Sequence, residues 1–359
     1  MQPRTREALR LYSARIAELN GVSSATESFA VVPRVQQTLE KKIQESSAFL
    51  KSINIQGVPE QAGEKLGLLI GAPNASTTDT TDQERAPVDL TDMDSNPYFC
   101  SKTNSDTYIP YSKLDAWAFI PEFQAMIRDV TVQNQALDRL RIAFNGVSRA
   151  ANSDRTKNPL GQDVNKGWLQ KYREQAADQV IKDKIVIGGA AGHYKNLDAL
   201  VMETTAELIA PWHADNPNLV VVCGRHTLLD KYFPIVNQNN RPTDEIAAGL
   251  IVSQKRMGGL QVVQAPFFPR GKVLITILSN LSIYWQIGAR RKTILDNPKR
   301  DRVEFLESNN EAYVVEDFKA GCVIEDIEIA DEPPPSDTGT GGGTGGSGGT
   351  QGQSNPSGQ

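Results

Sequence analysis

The stretch NPLGQDVNKGWLQKYR, Asn158 to Arg173, combines a glycine approach, a lysine, a tryptophan and a basic run. Those are the ingredients of a phosphate cradle or an active site. A phosphate loop needs Gly-Lys-Ser/Thr opening a helix, so that backbone N–H groups and the lysine converge on the anion. Here Lys166 precedes Gly167, Trp168 follows it, and no nucleophile with a base lies beside them. The spacing supports a helix starting near Asp163 or Asn165, either of which can cap it. Trp168, Tyr172, Ala176 and Val180 then share one face at four-residue spacing, so Trp168 and Tyr172 read as structural anchors. Lys171 and Arg173 point elsewhere, free to meet a neighbouring subunit.

Other chemistry-like patterns fail on the same grounds. GGSGG (Gly345 to Gly349) matches a nucleophile elbow formally, but it lies in a glycine repeat, not in a strand-to-helix turn. IVIGGAAG places Gly188, Gly189 and Gly192 after a strand, without the GxGxxG spacing of a dinucleotide site, so a tight turn is the better reading. His193, His213 and His226 have no metal-ligand spacing. ARRKTILDNPKRDR (Ala289 to Arg302) is strongly basic but lacks the interleaved aromatics that stack bases. It reads equally as an intersubunit charge contact or as a face salt-bridged to Glu304, Glu307 and Glu311. No catalytic residue, cofactor or metal is expected.

The elements around these residues are those of a large soluble chain. With 359 residues and a net charge of −5, it can bury a sizeable core and is not uniformly basic. Cys100, Cys223 and Cys322 are scattered without a CxxC pair, which suits a reducing compartment. The N-terminus is charged and amphipathic, not a signal peptide, and no apolar run is long enough to span a membrane.

Residues 1–52 read as a helical arm; with eight Lys/Arg and five Asp/Glu they carry a local net of +3. Residues 53–113 hold short β-like pieces around a long polar loop, as a hairpin reaching away from the body would. A helix from Pro121 to Asn145 carries Phe123, Val130, Leu137 and Phe144 every seven residues, joined by Ile120, Ile127 and Leu140, and closed by Gly146. Strand-helix alternation follows from about Ile185 to Ile287, with helices expected at RHTLLDKYFPIVN and TDEIAAGLIVSQ. RVEFLESNNEAYVVED reads as a closing hairpin turning at SNN. Residues 331–359 are a Gly-rich tail without a core to join.

Several segments occur in a recognisable order: QESSAFLKSINI, GEKLGLLIGAPNASTTDT, LDAWAFIPEFQAMIRD, NPLGQDVNKGWLQKYR, YKNLDALVME, LVVVCGRHTLLDKYFPIVN, IVSQKRMGGLQVVQAPFFP, LITILSNLSIYWQ and RRKTILDNPKRDRVEFLESNNEAYVVEDF. Together they closely resemble the major capsid proteins of the peduovirus-type contractile-tailed phages, from the arm to about Ile329.

The resemblance implies an α+β chain with the tailed-phage, Hong Kong ninety-seven type, capsid fold. Its parts would be an N-terminal arm (1–52), an extended β-hairpin loop (53–113), a peripheral domain with a long spine helix (114–184 and 289–330) and an axial α/β domain (185–288). It implies self-assembly into pentamers and hexamers of an icosahedral head around double-stranded DNA. The partners would be an internal scaffolding and protease protein, a portal, head-completion or decoration proteins, and weak, non-specific contact with packaged DNA. It also implies a maturation cut near Phe29 and Ala30. Intersubunit contacts are expected at Lys171, Arg173, Arg290, Arg291, Lys299, Arg300 and Arg302, with Trp117, Phe123, Phe144, Trp168 and Tyr172 as anchors. The readings to be set against this one are an α/β nucleotide-dependent enzyme and a nucleic-acid-binding protein.

Overall fold

The computed structural model describes residues 1–65, 75–87, 96–117, 120, 123–189, 192–229, 231 and 255–330. The expected helix at TDEIAAGLIVSQ, residues 66–74 and 88–95 of the expected hairpin loop, and the Gly-rich tail lie outside the described residues.

The chain opens with α1 (Pro3–Asn20), the two-residue strand β1 (Phe29–Ala30), α2 (Pro33–Glu45) and α3 (Ala48–Ser52). Proline begins both α1 and α2, where its missing N–H costs no helical bond. Gly21 ends α1 with φ 62°, the left-handed cap that glycine takes without a Cβ penalty. Next come β2 (Asn54–Val58), β3 (Ala62–Lys65), β4 (Asn96–Phe99), β5 (Ser101–Asn104) and β6 (Thr107–Pro110). β3 and β4 pair antiparallel, from Ala62 opposite Phe99 to Lys65 opposite Asn96, as the base of the expected hairpin.

α4 (Tyr111–Trp117) leads to α5 (Phe123–Asn145), whose 23 residues make a rod of about 35 Å at 1.5 Å per residue. Its end at Asn145 matches the sequence expectation, and its buried face does so in part, since Ile127, Leu140 and Phe144 of the expected stripe are buried. Ile127, Val132, Ala136, Leu140 and Ala143 are buried, whereas Val130 is 57% exposed and Leu137 only half-buried. Val130 and Leu137 were misplaced because Gln135 and Arg139, polar residues, occupy part of the buried face.

α6 (Trp168–Gln175) precedes β7 (Val180–Ile181), β8 (Ile185–Ile187), α7 (Leu197–Leu208), α8 (Pro211–Ala214) and β9 (Leu219–Cys223). Helical turns continue over residues 225–229, the start of the helix expected at RHTLLDKYFPIVN; its later part lies outside the described residues. β10 (Arg256–Met257), β11 (Leu260–Gln264), β12 (Val273–Ile277), β13 (Leu281–Gln286), β14 (Arg291–Asn297), β15 (Arg302–Val315), β16 (Gly321–Ile324) and β17 (Ile327–Ile329) follow.

Two main sheets result. The first has order β1-β14-β15-β13-β2, with β5 and β6 also on β15; the second has order β10-β11-β9-β12-β16-β7. β9 is buried at every residue, as a central strand covered on both faces must be. The division expected at residue 288 does not follow these sheets: β13 joins the first, while β16 joins the second. An apolar core runs between them, with Ile283 and Tyr313 from one and Val222, Leu274 and Val323 from the other.

The expected hairpin at SNN is instead one 14-residue strand, β15. Ser308, Asn309 and Asn310 lie mid-strand opposite Asn104, Thr103 and Lys102 of β5. Asn309 is only 5% exposed, because a buried polar network accepts its side chain, so a turn-forming residue type sits in a strand.

Candidate functional site

Two features of this architecture bear on function: a fastening aromatic cluster and a buried charge network.

The stretch with the look of a site is an anchor. α6 begins at Trp168 with Gly167 as its N-cap and no side-chain cap. Asp163 and Asn165, the expected caps, are committed elsewhere: Asp163 Oδ2 accepts from the Asp154 N–H at 2.7 Å, and Asn165 Nδ2 donates to the Glu311 carbonyl at 3.0 Å. Gly167 donates its N–H to the Gly146 carbonyl at 3.0 Å. A Cβ on Gly167 would lie 2.3 Å from the Ala143 carbonyl oxygen, and one on Gly146 2.1 Å from that of Asn165. The two glycines therefore let α6 press against the end of α5.

That approach seats Trp168, wholly buried, with its indole N–H donating to the Ser282 carbonyl at 3.0 Å. Its ring meets Phe144 at 5.4 Å and Tyr313 at 6.1 Å, both edge-on. Tyr172 is equally buried and edge-on to Phe318 at 5.2 Å. The helix ends at Gln175, so Ala176 and Val180 leave the face they were expected to share. Trp117 is half-buried at the edge of the arm cluster, and Phe123 starts α5, its side chain outside the described residues.

The second feature is a charge network that no motif announced. Arg290 Nε donates to Glu307 Oε1 at 2.6 Å, Nη1 to Glu40 Oε1 at 2.6 Å and Nη2 to Gln135 Oε1 at 2.7 Å. Arg139 reaches Glu311 at 2.6 Å and Glu40 at 2.8 Å, and Lys292 reaches Glu307 at 3.3 Å. Three cations and three carboxylates thus balance inside the fold, joining α2, α5 and β15. Burial alone would push the Glu307 carboxyl up, but Arg290 and Lys292 outweigh it and hold it at about 2. Glu311 is held below the usual carboxylate range in the same way: Arg139 overcomes its burial. The sequence signals were faint: four-residue spacings Gln36/Glu40 and Gln135/Arg139, and the alternation Glu307, Asn309, Glu311.

The basic segment divides accordingly. Arg290 is 2% exposed and fully engaged, so it is not available to a neighbouring subunit as expected. Arg302 pairs with Glu304 and lies over the Tyr108 ring at 4.4 Å. The salt-bridged alternative is therefore what Glu304 and Glu307 provide. Arg291, Lys299 and Arg300 are exposed. Arg173 Nε donates to Glu325 at 2.8 Å and is held within the chain, while Lys171 is half-buried.

Gly188 and Gly189, at φ 77° and 70°, turn the chain so that Gly188 N–H meets the Tyr194 carbonyl at 2.8 Å. All three cysteines are free and buried. Among the described residues, no cluster of His, Cys, Asp or Glu could hold a metal, and no helix is long and apolar enough to cross a membrane.

An arm, a hairpin base and a long spine helix carrying two sheets define a shell-building subunit of the tailed-phage capsid class. The comparisons agree. Residues 8–327 match the family model described as phage major capsid protein, P2 family. The chain is 46% identical over 349 residues to the capsid protein of Escherichia phage P2, covering 94% of this chain and 98% of that one. It is 40% identical over 342 residues to the major capsid protein of Serratia phage KSP20, covering 92% and 98%. A satellite phage P4 procapsid chain, solved with the size-determination protein, superposes with a TM-score of 0.76 at 45% identity, covering 92% of this chain and 99% of that chain. The chain belongs to the P2 family of phage major capsid proteins. It is a structural component of the virion that associates with itself into a multimeric shell of Hong Kong ninety-seven type fold, and it is not an enzyme.

Proposed function

We propose that this subunit closes into pentamers and hexamers through repeated heterologous contacts, and that these tile an icosahedral head around double-stranded DNA. The observation that carries this reading is the near full-length match to capsid relatives, together with the arm and hairpin at the chain's N-terminal end. Residues 1–52 act as an intersubunit strap and 53–113 as the extended loop. Residues 114–184 with 289–330 supply most of the peripheral domain and 185–288 most of the axial domain around the capsomer axis, with β13 crossing into the first sheet and β16 into the second. Lys171, Arg291, Lys299 and Arg300 contribute intersubunit contacts; Arg173, which shares Glu325 with Lys272, adds surplus positive charge, and Arg302 contributes as a pair with Glu304.

Assembly takes place in the host cytoplasm on an internal scaffolding and protease protein, and the finished head meets a portal and head-completion or decoration proteins. Contact with the genome stays weak, since the chain carries a net charge of −5. The maturation cut falls near Phe29 and Ala30. These residues form β1 opposite Lys292 and Arg291, with Phe29 7% exposed, so a protease needs that short strand to lift from the sheet edge first. Electron microscopy after co-expression with the scaffold protein tests assembly: shells are expected, and no shells, tubes or capsomers would overturn it. Intact-mass measurement of mature particles tests the cut, which an N-terminus still at Met1 or Gln2 would disprove.

A further inference from the structure

The connection between β11 and β12 holds one residue in a conformation that its type disfavours. The chain turns at Pro266 and Phe267, and Phe267 sits at φ 61°. Asp301 and Asp326 also have positive φ, which aspartate tolerates, but a bulky aromatic there is an outlier. In a turn that opens on proline, a following residue with this sign of φ is ordinarily glycine or asparagine. Strain of this kind persists only where surrounding contacts impose it.

Those contacts come from the last turn of α5. Asn145 Nδ2 donates to the Phe267 carbonyl at 2.8 Å, across 122 residues of chain. The Arg141 guanidinium lies 4.5 Å from the centre of the Phe267 ring, a cation–π contact. Phe268, buried, meets Phe144 at 5.0 Å. On its other side the turn is tied to the second sheet. Ala265 N–H donates to the Cys223 carbonyl at the end of β9 at 3.1 Å, and the Gly271 carbonyl accepts from Ile327 N–H at 2.8 Å. Arg270 reaches His226, in the helical turns that follow β9, at 3.1 Å. Phe267 thus stands at the joint between the spine helix and the second sheet.

We propose that this turn is a strained latch that fixes the second sheet to the end of the spine helix. Asn145 and Arg141 hold Phe267 in the left-handed conformation. When the end of α5 draws away, Phe267 returns to negative φ and its ring leaves Arg141. The β11–β12 end of the sheet is then free to change its angle to the spine. A few turn residues that absorb a change of backbone angle are how such hinges are built. The latch gives one chain two shapes to offer its neighbours in a shell. It needs only the folded subunit, so it stands apart from the processing and capsomer geometry proposed above.

The test uses the unassembled full chain. It reads melting temperature, and hydrogen exchange of peptides covering residues 260–272 by mass spectrometry. Phe267→Gly and Phe267→Ala remove the same ring, but only glycine takes positive φ without penalty. At an unstrained position glycine is the less stable of the two, because it loses more freedom on folding. Here the glycine variant is expected to melt above the alanine variant, and the opposite order would mean that no strain is stored. Asn145→Ala then reads the latch. In the parent background it should speed exchange at the Ala265 amide by about tenfold or more. In the Phe267→Gly background, where no strain is left to relax, the acceleration should stay under about twofold. A general loss of stability in Asn145→Ala would act in both backgrounds and does not imitate this difference. Equal acceleration in the two would make Asn145 an ordinary hydrogen bond and overturn the latch, as would an Ala265 amide that Asn145→Ala leaves unchanged in the parent.

Discussion

Glu40 on α2 and Arg290 at the entrance to β14 meet at 2.6 Å, with side chains 4% and 2% exposed. They are 250 residues apart in the chain, so the contact ties the end of the arm to the sheet that the final third builds. Two charges withdrawn from water gain little over an apolar pair of the same shape, but either one left alone is costly.

Arg290→Met should therefore destabilise the unassembled subunit by about 3–5 kcal/mol, the range for a buried charge stripped of its partner. It leaves Glu40 and Glu307 facing each other without their shared cation. A shift of the urea midpoint with little change in slope is the expected record. An unshifted midpoint would mean that water reaches the network.

Acid should act on the same cluster. The Glu307 carboxyl is held at about 2 against an ordinary 4.5. A lowered carboxyl contributes stability that is fully present above its unfolded value and is lost as pH falls through its folded value. The loss therefore runs from about pH 4.5 down to about pH 2, and its full size for Glu307 is about 3 kcal/mol. Glu311 adds in the same direction. Glu307→Gln should lower stability at neutral pH and flatten its decline over that interval, as followed by denaturant titration at several pH values.

Gly167→Ala isolates the approach of α6 to α5. The new methyl would sit 2.3 Å from the carbonyl oxygens of both Ile142 and Ala143, which are backbone atoms and cannot swing aside. The cost should reach about 3 kcal/mol, the upper end for forcing atoms into a packed core. A melting temperature equal to that of the parent would show that the helices slide apart freely.

What was legible in the sequence was local, and what was missed depended on partners far along the chain. The end of α5 at Asn145 followed from a helical pattern running into Gly146. Trp168 and Tyr172 read as anchors from four-residue spacing alone. β15 was misread because SNN has turn chemistry; only Glu40, Gln36 and Glu311, brought in by the fold, make Asn309 at home in a strand. Arg290 looked like surface charge for the same reason. Its partners Glu40 and Gln135 lie on two helices that sequence spacing cannot bring together.

Thiol chemistry reports on the second sheet without any mutation. Burial pushes the thiols of Cys100 and Cys223 up to about 12, and that of Cys322 further still. Thiolate is the reactive form, so all three should resist alkylation by iodoacetamide at pH 8 in the folded subunit. Adding urea through the unfolding transition should release Cys223 and Cys322 together, since Cys223 in β9 and Cys322 in β16 flank β12 in one sheet, with Cys100, packed against Tyr284 and Ala312 of the first sheet, as the comparison. Early labelling of one cysteine, read by mass spectrometry, would locate a region that opens before the rest.

The indole of Trp168 separates packing from hydrogen bonding at the anchor. Trp168→Ala removes a wholly buried ring that touches Phe144 and Tyr313, and should cost about 3–5 kcal/mol. Trp168→Phe keeps most of the volume but leaves the Ser282 carbonyl, now served by the indole N–H at 3.0 Å, without that donor. An unmatched buried acceptor costs about 1–3 kcal/mol, so the phenylalanine variant should fall between parent and alanine. Because the ring lies inside the subunit, both losses should appear in chemical denaturation of unassembled protein. A variant of parental stability that fails to form shells would instead assign Trp168 to a contact between subunits.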